Sequence, residues 1–85
     1  MRRARPEDLD KLEPLLAKLR RLDGVKEKSR GTFYRGSRAF LHFHEHEGGF
    51  FADVRLAEDF ERFPATSAAD RKVLLGAIEK ALHAP

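Results

Sequence analysis

The chain has 85 residues, 41% hydrophobic and 36% charged, with a formal charge of +3 and a pI near 9.6. That length supports one core and a single domain over residues 1–85, burying roughly 60–65% of the unfolded surface. The absence of cysteine excludes disulfides, thiolate metal sites and cysteine nucleophiles, and no apolar run approaches the ~18 residues of a membrane-crossing helix.

In chain order, residues 1–5 are basic through Arg2, Arg3 and Arg5. No apolar segment follows of the kind a secretory signal needs, so the expectation is a cytoplasmic protein with a frayed basic arm. Residues 6–22 predict a helix. Pro6 suits a first turn, Glu7 and Asp8 suit the positive end of the dipole, and Leu9, Leu12, Leu16 and Leu19 recur at helical spacing. Asp23-Gly24 ends it, and Pro14 is expected to kink or split it. Val25–Ser29 reads as a short edge strand. Gly31–Arg35, Arg38–His46 and Phe50–Leu56 read as an antiparallel meander with turns at Gly36-Ser37 and Gly48-Gly49. Residues 57–66 read as a connection in which Phe60 and Phe63 tuck under the sheet. Ser67 to Ala84 read as a second helix, with Ser67 and Asp70 spaced as a capping box. Helix, three or four strands, then helix predicts an α+β two-layer sandwich.

The turns set register, and register sets faces. A Gly48-Gly49 turn places His44 opposite Asp53, His42 opposite Arg55 and His46 opposite Phe51. A Gly36-Ser37 turn places Phe33 opposite Phe40 and Tyr34 opposite Ala39. One face then carries Tyr34, Ala39, Leu41, Phe43, Ala52, Val54 and Leu56, which is a core. The other carries Phe33, Phe40, His42, His44, His46, Phe51, Asp53 and Arg55, a mixture of aromatic and polar groups.

That mixed face is the candidate working surface. Three phenylalanines on one side of a sheet are too much apolar area to leave bare. The C-terminal helix, a second copy of the chain (a homodimer), or a ligand, peptide or nucleic acid could cover them. Phe33, Phe40, His42, His44, Phe51, Asp53 and Arg55 are the expected binding residues. His42 and His44 alternate on one strand with Asp53 across from them, and two imidazoles with a carboxylate form an open metal-coordination set. Arg55 opposite His42 opposes that reading, and a cross-strand His44–Asp53 contact is the plainer one.

Other chemistries find less. Ser29, Ser37 and Ser67 sit at turns or a cap, where serine is ordinary. The glycines form no phosphate loop, so neither an enzyme nor a cofactor is expected. Nucleic-acid binding would use Arg2, Arg3, Arg5, Arg35 and Arg38, but acids interleave with the bases along the chain. The lack of Asn, Gln and Cys among many charges is what a heat-adapted chain shows.

The phrases Leu-Asp-Gly-Val-Lys-Glu-Lys-Ser-Arg-Gly-Thr-Phe-Tyr-Arg (22–35), Arg-Ala-Phe-Leu-His-Phe-His (38–44) and Phe-Ala-Asp-Val-Arg-Leu (51–56) resemble the MmcQ/YjbR-like family. The His-rich strand before an Asp-bearing strand is also similar to a small luciferase-associated domain of unknown function. The resemblance covers about 40% of the chain. It implies a small α/β sandwich of uncharacterised role, sometimes suggested to bind DNA, and carries no catalytic residue to this chain. The expectation is therefore a non-enzymatic binding or dimerisation module.

Overall fold

The leucine stripe folds as a helix, α1 (Pro6–Arg20), in the computed structural model, which describes residues 1–84. Leu9, Leu12, Leu15, Leu16 and Leu19 are all buried. Pro14 does not split the helix, contrary to expectation. It removes one backbone donor, so the Asp10 carbonyl loses its intrahelical partner. Pro14 is exposed, however, so water can serve that carbonyl while the leucines on either side bury one continuous stripe.

The basic arm is a second correction. Arg2–Arg3 form a short strand, β1, with Arg2 opposite Glu45 and Arg3 opposite His44. Ala4 N–H donates to the Phe43 carbonyl at 3.1 Å. Arg2 pairs with Asp8 at 2.9 Å and Glu45 at 3.1 Å, and Asp8 also accepts the Arg5 backbone N–H at 2.9 Å. That backbone N–H, then the Arg2 charge, holds the Asp8 carboxyl below its ordinary range. The arm is ordered because its backbone and one of its charges find partners, which a count of basic residues does not reveal.

Five further strands follow: β2 (Lys26–Ser29), β3 (Thr32–Arg35), β4 (Arg38–His46), β5 (Gly49–Arg55) and β6 (Phe60–Pro64). They form one antiparallel sheet in the order β2-β3-β4-β5-β6, with β1 beside the far end of β4. The stretch expected to be a connection is thus an edge strand. The second helix, α2 (Ala68–Leu82), opens on the expected capping box: Ser67 Oγ accepts the Asp70 N–H at 3.0 Å, and Asp70 accepts the Ser67 N–H at 3.1 Å. Among the described residues no helix is long and apolar enough to cross a membrane.

Both helices pack on the same face of the sheet. One cluster joins the α1 leucines and Leu74 and Ile78 of α2 to Phe33, Phe40, Leu41, Phe43, Phe50, Ala52 and Val54. The protein is an α+β two-layer sandwich with one sheet face covered and the other left to its own side chains. Covering of the mixed face by the C-terminal helix is therefore not what occurs.

Two register details place that open face. The β4–β5 turn is Glu47-Gly48, one residue earlier than expected, and both residues have positive φ (52° and 81°) as a type I′ turn demands. Moving the turn by one residue shifts the pairing by two, so faces are preserved while partners change: His42 now faces Asp53, and His44 faces Phe51. In the β3–β4 pair a bulge intervenes. Tyr34 faces Ala39 but Phe33 faces Leu41, so Phe40 is an extra residue. The bulge turns Phe33 and Phe40 into the core, where they are 1% and 2% exposed. Both were expected on the open face.

Gly31 shows how tightly α1 sits on the sheet. Its φ is +79°, and a Cβ there would lie 2.6 Å from Leu9 Cδ2. Gly31→Ala is expected to lose about 1–2 kcal/mol from the left-handed backbone alone. The displaced leucine adds to this, for a melting point roughly 5–15 °C lower. A differential scanning calorimetry trace matching wild type would refute this.

Candidate functional site

The open face is built from alternate residues of adjacent strands. β4 contributes His42, His44 and His46, and β5 contributes Phe51, Asp53 and Arg55. β6 brings Phe60 opposite Arg55 and Arg62 opposite Asp53, while β1 brings Arg3 opposite His44. At its centre is Asp53, only 9% exposed although it lies on the uncovered side of the sheet. Its neighbours bury it.

Asp53 gathers three groups. Nε2 of His44 lies 3.0 Å from Oδ2, and Nε2 of His42 lies 3.5 Å from the same oxygen. Arg62 grips the carboxylate with both arms of its guanidinium, Nε to Oδ1 at 2.7 Å and Nη2 to Oδ2 at 2.9 Å. A two-point arginine grip is the strong form of such a pair. The Arg62 hydrogen bonds outweigh burial and keep the Asp53 carboxyl below its ordinary value, with the nearby imidazoles adding. His42 moves down from its ordinary 6.5. Burial is the main cause, the Arg3 charge and the His44 ring contribute, and Asp53 opposes the shift only partly.

The rings lock one another. His42 and His44 meet edge to face with centroids 5.0 Å apart, and His42 meets Phe60 at 5.1 Å. Arg55 does not approach His42 as expected. Its Nε donates to the Ala39 carbonyl beside the bulge at 3.0 Å, and its Cζ lies 4.5 Å over the Phe60 ring. Arg55 is thus not the cross-strand partner of His42, although both meet the Phe60 ring. The cation beside the carboxylate is Arg62 instead.

One ligand atom from each of His42, His44 and Asp53 lies within 4.8 Å of the others. A tetrahedral site with bonds of 2.0–2.1 Å has ligand–ligand edges of about 3.3 Å. The two Nε2–Oδ2 distances of 3.5 and 3.0 Å bracket that value. Three features work against a bound ion, the first being the Arg3 charge that already acts on His42. Arg62 is a permanent charge. In addition, Nδ1 of His44 is buried with no hydrogen-bond partner. A metal on Nε2 would leave the ring proton on Nδ1, where second-shell acceptors are usual and none is present. The same sealed Nδ1 argues against His44 as a general base through that nitrogen, since no substrate atom can reach it.

The other expected site residues are dispersed. Phe33 and Phe40 are core, so the interface reading loses two of its three phenylalanines, while Phe51 remains half-buried on the open face. Of the arginines expected at nucleic acid, Arg2 is neutralised by Asp8 and Glu45. Arg3 sits at one end of β4, while Arg35 and Arg38 face each other at the other end. Six residues of β4, about 20 Å of backbone, separate the two positions, and the Arg3 guanidinium donates to the Thr32 hydroxyl.

Sequence reasoning missed Arg62 and Phe60. Their strand reads Phe-Glu-Arg-Phe-Pro, with apolar residues three apart and a closing proline, which is neither clean alternation nor a helical stripe. Compared with protein-family models, with curated proteins and with solved structures, the chain matches none.

Proposed function

We propose that the protein is a small binding module whose working surface is the open sheet face, and that His42, His44 and Asp53 hold a divalent transition-metal ion there. The observation carrying this reading is the convergence of two imidazoles and one carboxylate, with one ligand atom of each within 4.8 Å of the others, on a pair of neighbouring strands. Imidazole with carboxylate suits zinc, iron, cobalt or nickel better than calcium or magnesium. Three protein ligands leave a position for water or a ligand.

Arg62 sets the strength. Its side chain is 49% exposed, so it can keep its bond to Oδ1 and yield Oδ2 to a metal. A carboxylate held by a second residue is common around metal ligands. The formal charge of Asp53 and Arg62 together is zero, and the unpaired Nδ1–H of His44 adds a cost. Affinity is therefore expected in the micromolar range.

Isothermal titration with zinc or nickel chloride is expected to give one site per chain with Kd below about 10 μM, near −7 kcal/mol. His44→Ala is expected to abolish it. Arg62→Gln, which retains a donor toward Oδ1 without the charge, is expected to tighten it. Failure to saturate below about 10 μM in both wild type and Arg62→Gln would end the reading.

A further inference from the structure

The far end of the sheet carries a second feature, independent of the histidines. The β3–β4 turn and the start of the β5–β6 connection enclose a cavity of about 280 Å³, lined by Arg35, Arg38, Arg55, Phe40, Leu56 and a wall of alanine. Three of these residues carry a permanent positive charge and none is acidic. Glu58 and Asp59 follow on the connection, exposed and outside the lining.

Arg35 and Arg38 face each other directly across the strands. Like charges in that position destabilise a hairpin. Among the described residues neither has an ion-pair partner. Four other arginines pair with acids, Arg2 with Asp8, Arg20 with Glu27, Arg30 with Asp10 and Arg62 with Asp53; Arg35 and Arg38 differ from the remaining unpaired ones in facing each other beside a concave surface. Arg55 is held differently again. Nε is fixed on the Ala39 carbonyl and Cζ lies over the Phe60 ring, and among the described residues its two terminal amino groups have no acceptor.

We propose that this cavity binds a phosphate-type oxyanion, with Arg55 as the fixed contact and Arg35 and Arg38 closing from the turn. Guanidinium groups match tetrahedral oxyanions through paired N–H donors. An anion between Arg35 and Arg38 converts their repulsion into two attractions. The volume lies at the lower edge of small-molecule sites, which suits a phosphoryl group with a short organic remainder. Leu56 on the wall would contact that remainder.

The test uses the full chain in chloride buffer at low, constant ionic strength. Sodium phosphate and glycerol phosphate are titrated separately by calorimetry. Saturable binding of either with Kd at or below about 1 mM, weakened at least tenfold in Arg38→Gln and in Arg35→Gln, supports the site. Tighter binding of glycerol phosphate identifies the anion as part of an organic ligand, and preference for inorganic phosphate identifies the free ion. Melting supplies a crossed readout. Without phosphate, Arg38→Gln is expected to melt at or above wild type, because a repulsion is gone. With phosphate, only wild type is expected to rise. No saturation with either probe, or equal binding in wild type and both variants, overturns the proposal.

Discussion

Phe40→Asp is expected to unfold the protein. The side chain is 2% exposed and belongs to the cluster that joins both helices to the sheet. Deleting a buried phenylalanine to alanine costs about 3–5 kcal/mol. Aspartate adds the burial of a charge with no partner, which costs several kcal/mol more or forces the carboxyl to protonate. The total stability of a domain this size is about 4–13 kcal/mol at the usual 0.05–0.15 kcal/mol per residue, so the substitution consumes most or all of it. Phe60→Asp should behave oppositely. Phe60 is 38% exposed on the open face, and the variant is expected to lose its stacking with Arg55 and His42 and remain folded. Far-UV circular dichroism with urea unfolding decides the matter. A cooperative, folded Phe40→Asp with a near wild-type midpoint would mean that the bulge is absent and Phe40 lies on the open face.

Phe40 also marks where sequence reasoning reaches its limit. Element order, both helices, the β2–β5 meander and the Ser67 cap follow from periodicity and turn chemistry, and the structure has them. The core partition of β5, and of β4 from Leu41 onward, followed too, because alternation survives an error in turn position: shifting the turn from Gly48-Gly49 to Glu47-Gly48 changes partners in steps of two. A bulge is different. It inserts one residue and flips everything beyond it, and nothing in Phe33-Tyr34 or Ala39-Phe40-Leu41 signals it. Two phenylalanines therefore changed sides.

The candidate site was legible in part for the same reasons. His42, His44 and Asp53 share a face under either register, so their meeting survives the shift. The identity of the nearby cation did not survive. Arg55 was expected opposite His42, but the bulge exposes the Ala39 carbonyl and Arg55 turns to it. Arg62 comes from a strand whose pattern is not strand-like. The role of β1 was hidden differently. A two-residue strand carries no periodicity, and it is held by the Phe43 carbonyl, Asp8 and Glu45, contacts from two separate elements, α1 and β4.

Asp53→Ala is the second substitution with a large expected effect, and its pH dependence identifies the cause. At pH 7 it removes the acceptor of Arg62 and the anion beside His42 and His44, leaving several positive or protonatable groups on one face without a counter-charge. Hydrogen bonds to charged groups contribute about 1.5–3 kcal/mol, and Asp53→Ala is expected to lose an amount in that range. The folded carboxyl is held below its unfolded value of 3.8, chiefly by Arg62. Its stabilisation is therefore complete above pH 3.8 and disappears as pH falls through the folded value. His42 is held below 6.5 in the folded state, chiefly by burial. The unfolded chain then takes up a proton first, so wild-type stability is highest above pH 6.5 and declines below it. The His42 decline remains in Asp53→Ala, because burial and Arg3 remain, and it loses the opposing pull of Asp53. The gap between wild type and variant should thus be wide from pH 5 to 8 and close below pH 3.8. Urea midpoints at pH 7, 5 and 3 measure it. A gap that stays constant as pH falls far enough to protonate the folded Asp53 carboxyl would assign the loss to packing around Asp53. Equal midpoints at pH 7 would show that the His–Asp–Arg cluster adds nothing to the fold, which would leave its geometry to function alone.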